Sequence, residues 1–164
     1  MGNAYITRMP AGIAGDVSRK EVAKIEPRMM DPDHPVERYG VPVKISSAGV
    51  APLTTGDTVA TDVYGFSVRP YPLQASVSEA LDAGTPNTNQ PLDVLRSGYI
   101  TVKNNKGTPA LSGVVYCRIA DGSTAYPLGG IEAAADGGDC EAITGARFMG
   151  SADADGNVEI AYNI

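Results

Sequence analysis

Gly98-Tyr-Ile-Thr-Val-Lys103 and Leu111-Ser-Gly-Val-Val-Tyr-Cys-Arg-Ile119, joined by Asn104-Asn-Lys-Gly-Thr-Pro109, decide how this chain is read. In the first segment Ile100 and Val102 share one face, and Tyr99, Thr101 and Lys103 share the other. In the second, Val115, Cys117 and Ile119 oppose Val114, Tyr116 and Arg118. A period of two between turn signals predicts strands with one face buried. β-Branched and aromatic side chains fill both segments, as a pleated surface prefers. The pair predicts a central hairpin, with Val115 and Ile119 in the core and Tyr99 and Lys103 on a wetter face. A lone hairpin is marginal in water, so the rest of the chain must supply covering strands.

The 164 residues are enough for one domain, and 43% hydrophobic residues allow it to fold by burial. Aromatics are only 6% and Trp is absent, so the core should be aliphatic. With Gly 19 and Pro 12, short strands between turns fit better than long helices. The net charge of -6 is uneven: +1 over residues 1–44, zero over 45–118 and -7 over 119–164. Phosphate binding needs clustered Lys and Arg, so nucleic acid is not an expected partner. Met1 to Gly15 lacks the apolar core of a signal peptide, and no apolar run is long enough to span a bilayer. The expectation is a soluble protein made in a cytoplasm, with no membrane partner. Cys117 and Cys140 are read as reduced, buried thiols, with a disulfide as the lesser alternative.

Outward from the centre, residues 1–38 read as an extended N-terminal arm and 39–164 as the body. Ser18-Arg-Lys-Glu21 matches a capping box for a short helix through Ile25, which Pro27 would end. The competing and preferred reading is mostly extended chain, with a strand near Glu21 to Met30. In the body, strands are expected at Tyr39 to Ile45, an edge because of Gly40 and Pro42, and in Thr58 to Val68. Further strands are expected at Cys140 to Met149, with a bulge at Gly145, and at Val158 to Ile164. Ser46 to Gly56 and Gln74 to Pro91 read as connections, with one helical turn near Ser76 to Leu81. The class is all-β: an antiparallel β-sandwich or jelly-roll-like barrel with an extended arm.

Little in the sequence points to catalysis. His34, the only histidine, lies in the turn Asp31-Pro-Asp-His-Pro35, and a metal site built on several histidines is excluded. Cys117 alternates with apolar residues and reads as core rather than nucleophile. Asp153-Ala-Asp-Gly-Asn157 departs from a calcium loop, because its glycine comes too early and no Glu stands at the twelfth position. A hairpin turn at Asp155-Gly156 explains it. No catalytic residue, cofactor or metal ligand is assigned.

Met9-Pro-Ala-Gly-Ile-Ala-Gly-Asp16, Val63-Tyr-Gly-Phe-Ser-Val-Arg-Pro-Tyr-Pro72, Val94-Leu-Arg-Ser-Gly-Tyr-Ile-Thr-Val102 and Asp153-Ala-Asp-Gly-Asn-Val-Glu-Ile-Ala-Tyr162 belong together. With them the chain resembles the cement, or decoration, proteins of tailed double-stranded DNA phages, from Met9 to Ile164. Gln74 to Pro91 carries none of the resemblance. It implies a jelly-roll sandwich with an arm, no enzymatic activity, and a place on the virion's capsid exterior. Its partners would be the major capsid protein, whose neighbouring subunits it would clamp, and further copies of itself as a dimer or trimer. A lectin-like module on a virion or cell surface is the alternative; it would need an aromatic platform, for which Tyr64, Phe66 and Tyr71 are better read as packing.

The arm is where the partner surface is expected. Small residues followed by mixed charge suit a segment that lies along another chain. Ile13, Val17, Val22 and Ile25 are the expected apolar anchors, and Arg19 and Lys20 the expected contacts to acidic residues. On that reading, deleting Met1 to Lys20 leaves the body folded. If the arm instead covers an open edge of its own body, the deletion destabilises it.

Overall fold

One long strand, Pro91–Lys106, holds the molecule together. In the computed structural model, which describes residues 12–70, 84–88 and 90–164, nine strands are present. They are β1 (Lys24–Met29), β2 (Pro42–Ile45), β3 (Val50–Pro52), β4 (Gly65–Ser67), β5 (Pro91–Lys106), β6 (Val114–Arg118), β7 (Ile131–Glu132), β8 (Cys140–Phe148) and β9 (Asn157–Tyr162). One short helix, α1 (Val59–Asp62), and a 3-10 turn at Lys20–Val22 complete the described elements.

The C-terminal half of β5 closes a five-stranded barrel: β5 pairs with β9, β9 with β8, β8 with β6, β6 with β7, and β7 returns to β5. All of these pairs are antiparallel except β5–β7. The N-terminal half of β5 joins a second sheet of β3, β2, β4 and β1. That sheet bends back on itself, since Met30 bridges Val50 and the Asp31 amide donates to the Val50 carbonyl at 2.9 Å. Of the sandwich and barrel forms open to the sequence, the barrel is the one formed, and all-β holds.

Each sheet wraps its own core, and β5 supplies both. Leu92 and Val94 lie in the cluster with Met30, Val36, Tyr39, Val43 and Val50. Leu95, Ile100 and Val102 lie in the barrel cluster with Phe66, Phe148, Ile143 and Ile160. Leu95 and Ile100 are an odd number of residues apart yet face the same core, so the strand must gain a residue between them. It does so at Arg96, which β1 skips: Lys24 stands opposite Ser97 and Ile25 opposite Leu95. Gly98 follows with φ 141, a bulge that turns the strand from one core to the other.

Several expectations need correction. The two central segments are strands of one barrel but do not form a hairpin, because β7 lies between them. Two residues in a small-residue stretch carry no period by which β7 could be recognised. Thr101 is fully buried, so β5 is covered on both faces there, while Tyr99 is half-buried and Lys103 exposed. Val115 is fully buried but Ile119 only half so. β2 is not an edge, for β3 and β4 flank it. Ser46 to Gly56 contains β3, and Thr58 to Val68 holds α1 before β4. The capping box does not form: Arg19 stands at the N-cap without a side-chain bond, and the Ser18 hydroxyl donates to Glu159 instead. The preferred extended reading is met by β1. The Gly145 bulge is present, with φ 78 and a register shift against β6. The helical turn expected near Ser76 to Leu81 lies outside the described residues.

Candidate interaction surface

Residues 15–29 run antiparallel along a single edge of β5. The Gly15 amide donates to the Thr101 carbonyl at 2.8 Å, the Thr101 amide to the Asp16 carbonyl at 2.9 Å, and the Ser18 amide to the Tyr99 carbonyl at 3.2 Å. β1 then continues on Ser97 to Pro91. The entry is a tight crossing. Asp16 caps the turn by accepting from the Ile13 amide at 3.0 Å. A side chain on Gly15 would come within 2.6 Å of Tyr39 Cβ, and one on Gly40 within 2.8 Å of the Gly15 nitrogen. Both glycines have positive φ, 95 and 72, so two backbones touch where only glycine fits.

The two faces of β1 differ in chemistry more than in burial. Glu26 stands opposite Val94 and Arg28 opposite Leu92, so these charged residues lie on the side of the second core. They are held there by Tyr64: its hydroxyl donates to Glu26 at 2.6 Å, and Arg28 donates to Tyr64 Oη at 2.8 Å. Arg96 stacks on the Tyr64 ring at 3.5 Å. Accepting from Tyr64 and then from Arg28 holds the Glu26 carboxyl below its ordinary value. The alternate residues, Ile25, Pro27 and Met29, are exposed, Ile25 at 41% and Met29 at 56%. Val22, just before, is 52% exposed. The Glu26 and Arg28 side chains are themselves 43% and 50% exposed, so both faces of β1 meet solvent and only the outer one is apolar.

The free edge of β1 is also constrained. The Asp93 carbonyl accepts from the Val68 amide on the opposite side of β5. Pro27, paired with Asp93, therefore directs its backbone away from β5. The missing N–H costs the protein nothing there, and it removes a donor from the middle of the free edge.

The six residues expected at a partner surface are distributed as follows. Lys20, Val22 and Ile25 point outward. Arg19 is exposed but engaged, pairing with Glu159 at 2.9 Å and stacking on Tyr99 at 3.8 Å. Val17 bridges to Ile100 and packs against the barrel core. Ile13 lines a cleft of about 330 Å³ with Tyr39, Arg69 and Lys103. Pro27 and Met29 were missed, although their alternation with Glu26 and Arg28 was there to be read. Phe66 is core, edge-on to Tyr162 at 5.0 Å, and Tyr64 is half-buried. Tyr71 lies outside the described residues.

A second cluster sits on the outer face of β6–β8, beneath the 119–139 connection. Arg118 Nε pairs with Glu132 at 2.6 Å; the two side chains are 3% and 0% exposed. Arg118 also contacts Asp136, which takes Lys106 at 2.6 Å. The Cys140 thiol donates to Glu132 at 3.2 Å. Burial, reinforced by that bond, pushes the Cys140 thiol up to about 12, and burial raises Cys117 as well. Burial therefore disfavours the thiolate that a nucleophile requires at both positions. Cys117 stands opposite Glu141, and Cys140 opposite Arg118, so the thiols lie on opposite faces of the sheet. His34 is an exposed side chain 3.7 Å from Asp31. Asp153 Oδ1 accepts from the amides of Asp155 and Asn157, which makes the acidic stretch a capped turn. Among the described residues no group of His, Cys, Asp and Glu is arranged to hold a metal. No helix among them is long and apolar enough to cross a membrane.

The most prominent surface feature among the described residues is the apolar outer face of β1. The family described as "Structural cement protein (E217 gp24/Pam3 gp6)" matches residues 1–163. The chain belongs to that family. A chain in the solved structure titled "The capsid of Myoviridae Phage XM1" shares the fold, with a TM-score of 0.70 at 15% identity, covering 99% of this chain and 97% of that one. No curated protein matches. Membership gives the chain a structural role in a phage capsid. Where they are described, the motifs that carry the resemblance fall on the Gly15–Gly40 crossing, on β4, on β5 and on β9.

Proposed function

We propose that the chain binds the outer surface of the capsid and clamps neighbouring major capsid subunits, stabilising the shell. Family membership over residues 1–163 carries this reading. In it, residues 1–38 act as the contacting arm and 39–164 as the body, with Val22 and Ile25 among the anchors and Lys20 among the charged contacts. The chemistry suits repeated, shallow docking: each copy offers a small apolar stripe, and many copies around a shell add weak contacts into a large total. The test uses shells of the phage that encodes the protein, prepared without it. Purified protein should bind at fixed stoichiometry, appear by electron microscopy as density between capsomers, and raise the temperature at which shells disrupt. Protein that leaves shell disruption unchanged, or whose density falls inside the shell or on the tail, would sink the reading.

A further inference from the structure

We infer that β1 docks through its outward face, not its edge, against an apolar shelf bordered by acidic side chains on a capsid subunit. The identity of the subunit rests on the proposed function; the mode of docking rests on three features of the arm. The first is the division of β1 into an apolar outer face and a face of paired, partly exposed charges. Glu26 and Arg28 satisfy each other and Tyr64 on the side of the second core. Ile25, Pro27 and Met29 are left in solvent. They span roughly 13 Å of strand, at 3.3 Å per residue. A strand that pairs its charges with each other on one face and carries only apolar side chains on the other has an outer surface for which water is the wrong neighbour.

The second feature is the edge. A strand that joins a partner's sheet needs its outward donors in sequence, and Pro27 removes one at the centre of this edge. Backbone pairing by residues 15–29 is instead used within the chain, along β5. What remains for a partner is the side-chain face.

The third is charge. The chain carries -6, yet the stretch leading into and opening β1 holds Lys20 and Lys24, neither of which pairs with a carboxylate among the described residues. The neighbouring cations differ: Arg19 is held by Glu159 and Arg28 by Glu26. Two unmatched lysines beside an apolar stripe suit acidic groups around an apolar shelf. A second copy offering the same stripe would bring its own lysines and, among carboxylates of the stripe not already in an ion pair, Glu21 to answer them. Self-pairing therefore leaves like charges together.

Ile25→Asp/Met29→Asp, Lys20→Glu/Lys24→Glu and Pro27→Thr test this on the full chain, with shells of the encoding phage as the probe. All the positions are exposed, so melting should shift by no more than a few degrees. The first variant should bind shells at least about 30-fold more weakly, as loss of central anchors does. The second should bind about tenfold more weakly and lose salt dependence. Pro27→Thr, which restores the edge donor, should bind as the parent does. Parent protein that fails to bind shells defeats the proposed function itself. If the parent binds, undiminished binding by the first variant, or tighter binding by Pro27→Thr, overturns the face-docking mode alone. Sedimentation showing that Ile25→Asp/Met29→Asp dissociates a self-associated parent would reassign the stripe to a contact between copies, and also overturns it.

Discussion

Arg118→Met tests whether the buried ion pair is held as tightly as its geometry implies. Methionine keeps most of the aliphatic stem and removes the guanidinium. Glu132, fully buried, is then left with the Cys140 thiol at 3.2 Å as its side-chain donor. Breaking a buried pair by removing one member costs about 3–5 kcal/mol, because the other charge is stranded. That is a large part of the about 5–15 kcal/mol that holds a domain folded. The reverse change should be milder. Glu132→Gln leaves Arg118 beside Asp136, with Asp139 at 3.8 Å, so the guanidinium keeps carboxylates; about 1–3 kcal/mol is expected. Arg118→Met/Glu132→Leu removes both charges and should cost less than Arg118→Met alone. A lone buried carboxylate can shed its charge only by taking up a proton. The Arg118→Met deficit should therefore shrink as pH is lowered, since the folded state then binds more protons than the unfolded. Urea unfolding at about pH 7.5 and 5.5 measures all three variants. A loss below about 1 kcal/mol for Arg118→Met, or a double variant worse than the single, would refute the reasoning.

Acid should destabilise the fold through carboxyls held down in the native state. Asp136 is lowered by Lys106 and then Arg118, and Asp31 chiefly by the Ser46 hydroxyl. Their contribution is full above the ordinary 3.8 and is lost as pH falls through the lower folded values, so Asp31→Asn should flatten the melting curve below about pH 4. Because Cys117 and Cys140 face opposite ways, reductant should leave the melting temperature unchanged, and Cys117→Ala should cost about 1–3 kcal/mol by the cavity it leaves. A fall on reduction would contradict the register of β6 against β8. Removing residues 1–20 should lower the melting temperature by several degrees, since the Tyr99 and Thr101 backbone groups lose their partners; an unchanged midpoint would return the arm to a purely intermolecular role.

The sequence showed strands where their alternation was long and their ends were marked. β9, with Val158, Ile160 and Tyr162 buried, and β8, with its glycine bulge, were both legible. The wiring was not. Ile131-Glu132 is too short to carry a period, yet it separates the two segments expected to pair. Burial of Glu132 was equally hidden, because a buried carboxylate is recognisable only by its partner, and Arg118 lies on another strand. Thr101 looked wet because its face alternates with Tyr99 and Lys103; residues 12–16, far away in sequence, cover it. In β1 alternation was present, but alternation says that two faces differ, not which one lies on the side of the second core. Tyr64 decides that by offering Glu26 and Arg28 a hydroxyl.

The arm's pairing with β5 changes what docking should cost. A free arm would have to be ordered at each contact, at about 1–2 kcal/mol per residue of backbone. Residues 15–29 already carry their hydrogen bonds within the chain, so the outward face of β1 is presented in place and little of that cost falls on binding. Gly15→Ala separates presentation from contact. Its methyl would meet Tyr39 and Arg69 at a positive φ, so the crossing must shift and the arm loosen. Stability should fall by about 2 kcal/mol or more. Binding to shells should weaken too, although Gly15 is buried and touches no partner. Gly138→Ala is the control: open space surrounds that position, its φ is not positive, and neither quantity should change. If Gly15→Ala lowers stability while shells still bind it with the parent's affinity, the arm's order within the chain contributes nothing to docking, and the clamp must draw on some other surface.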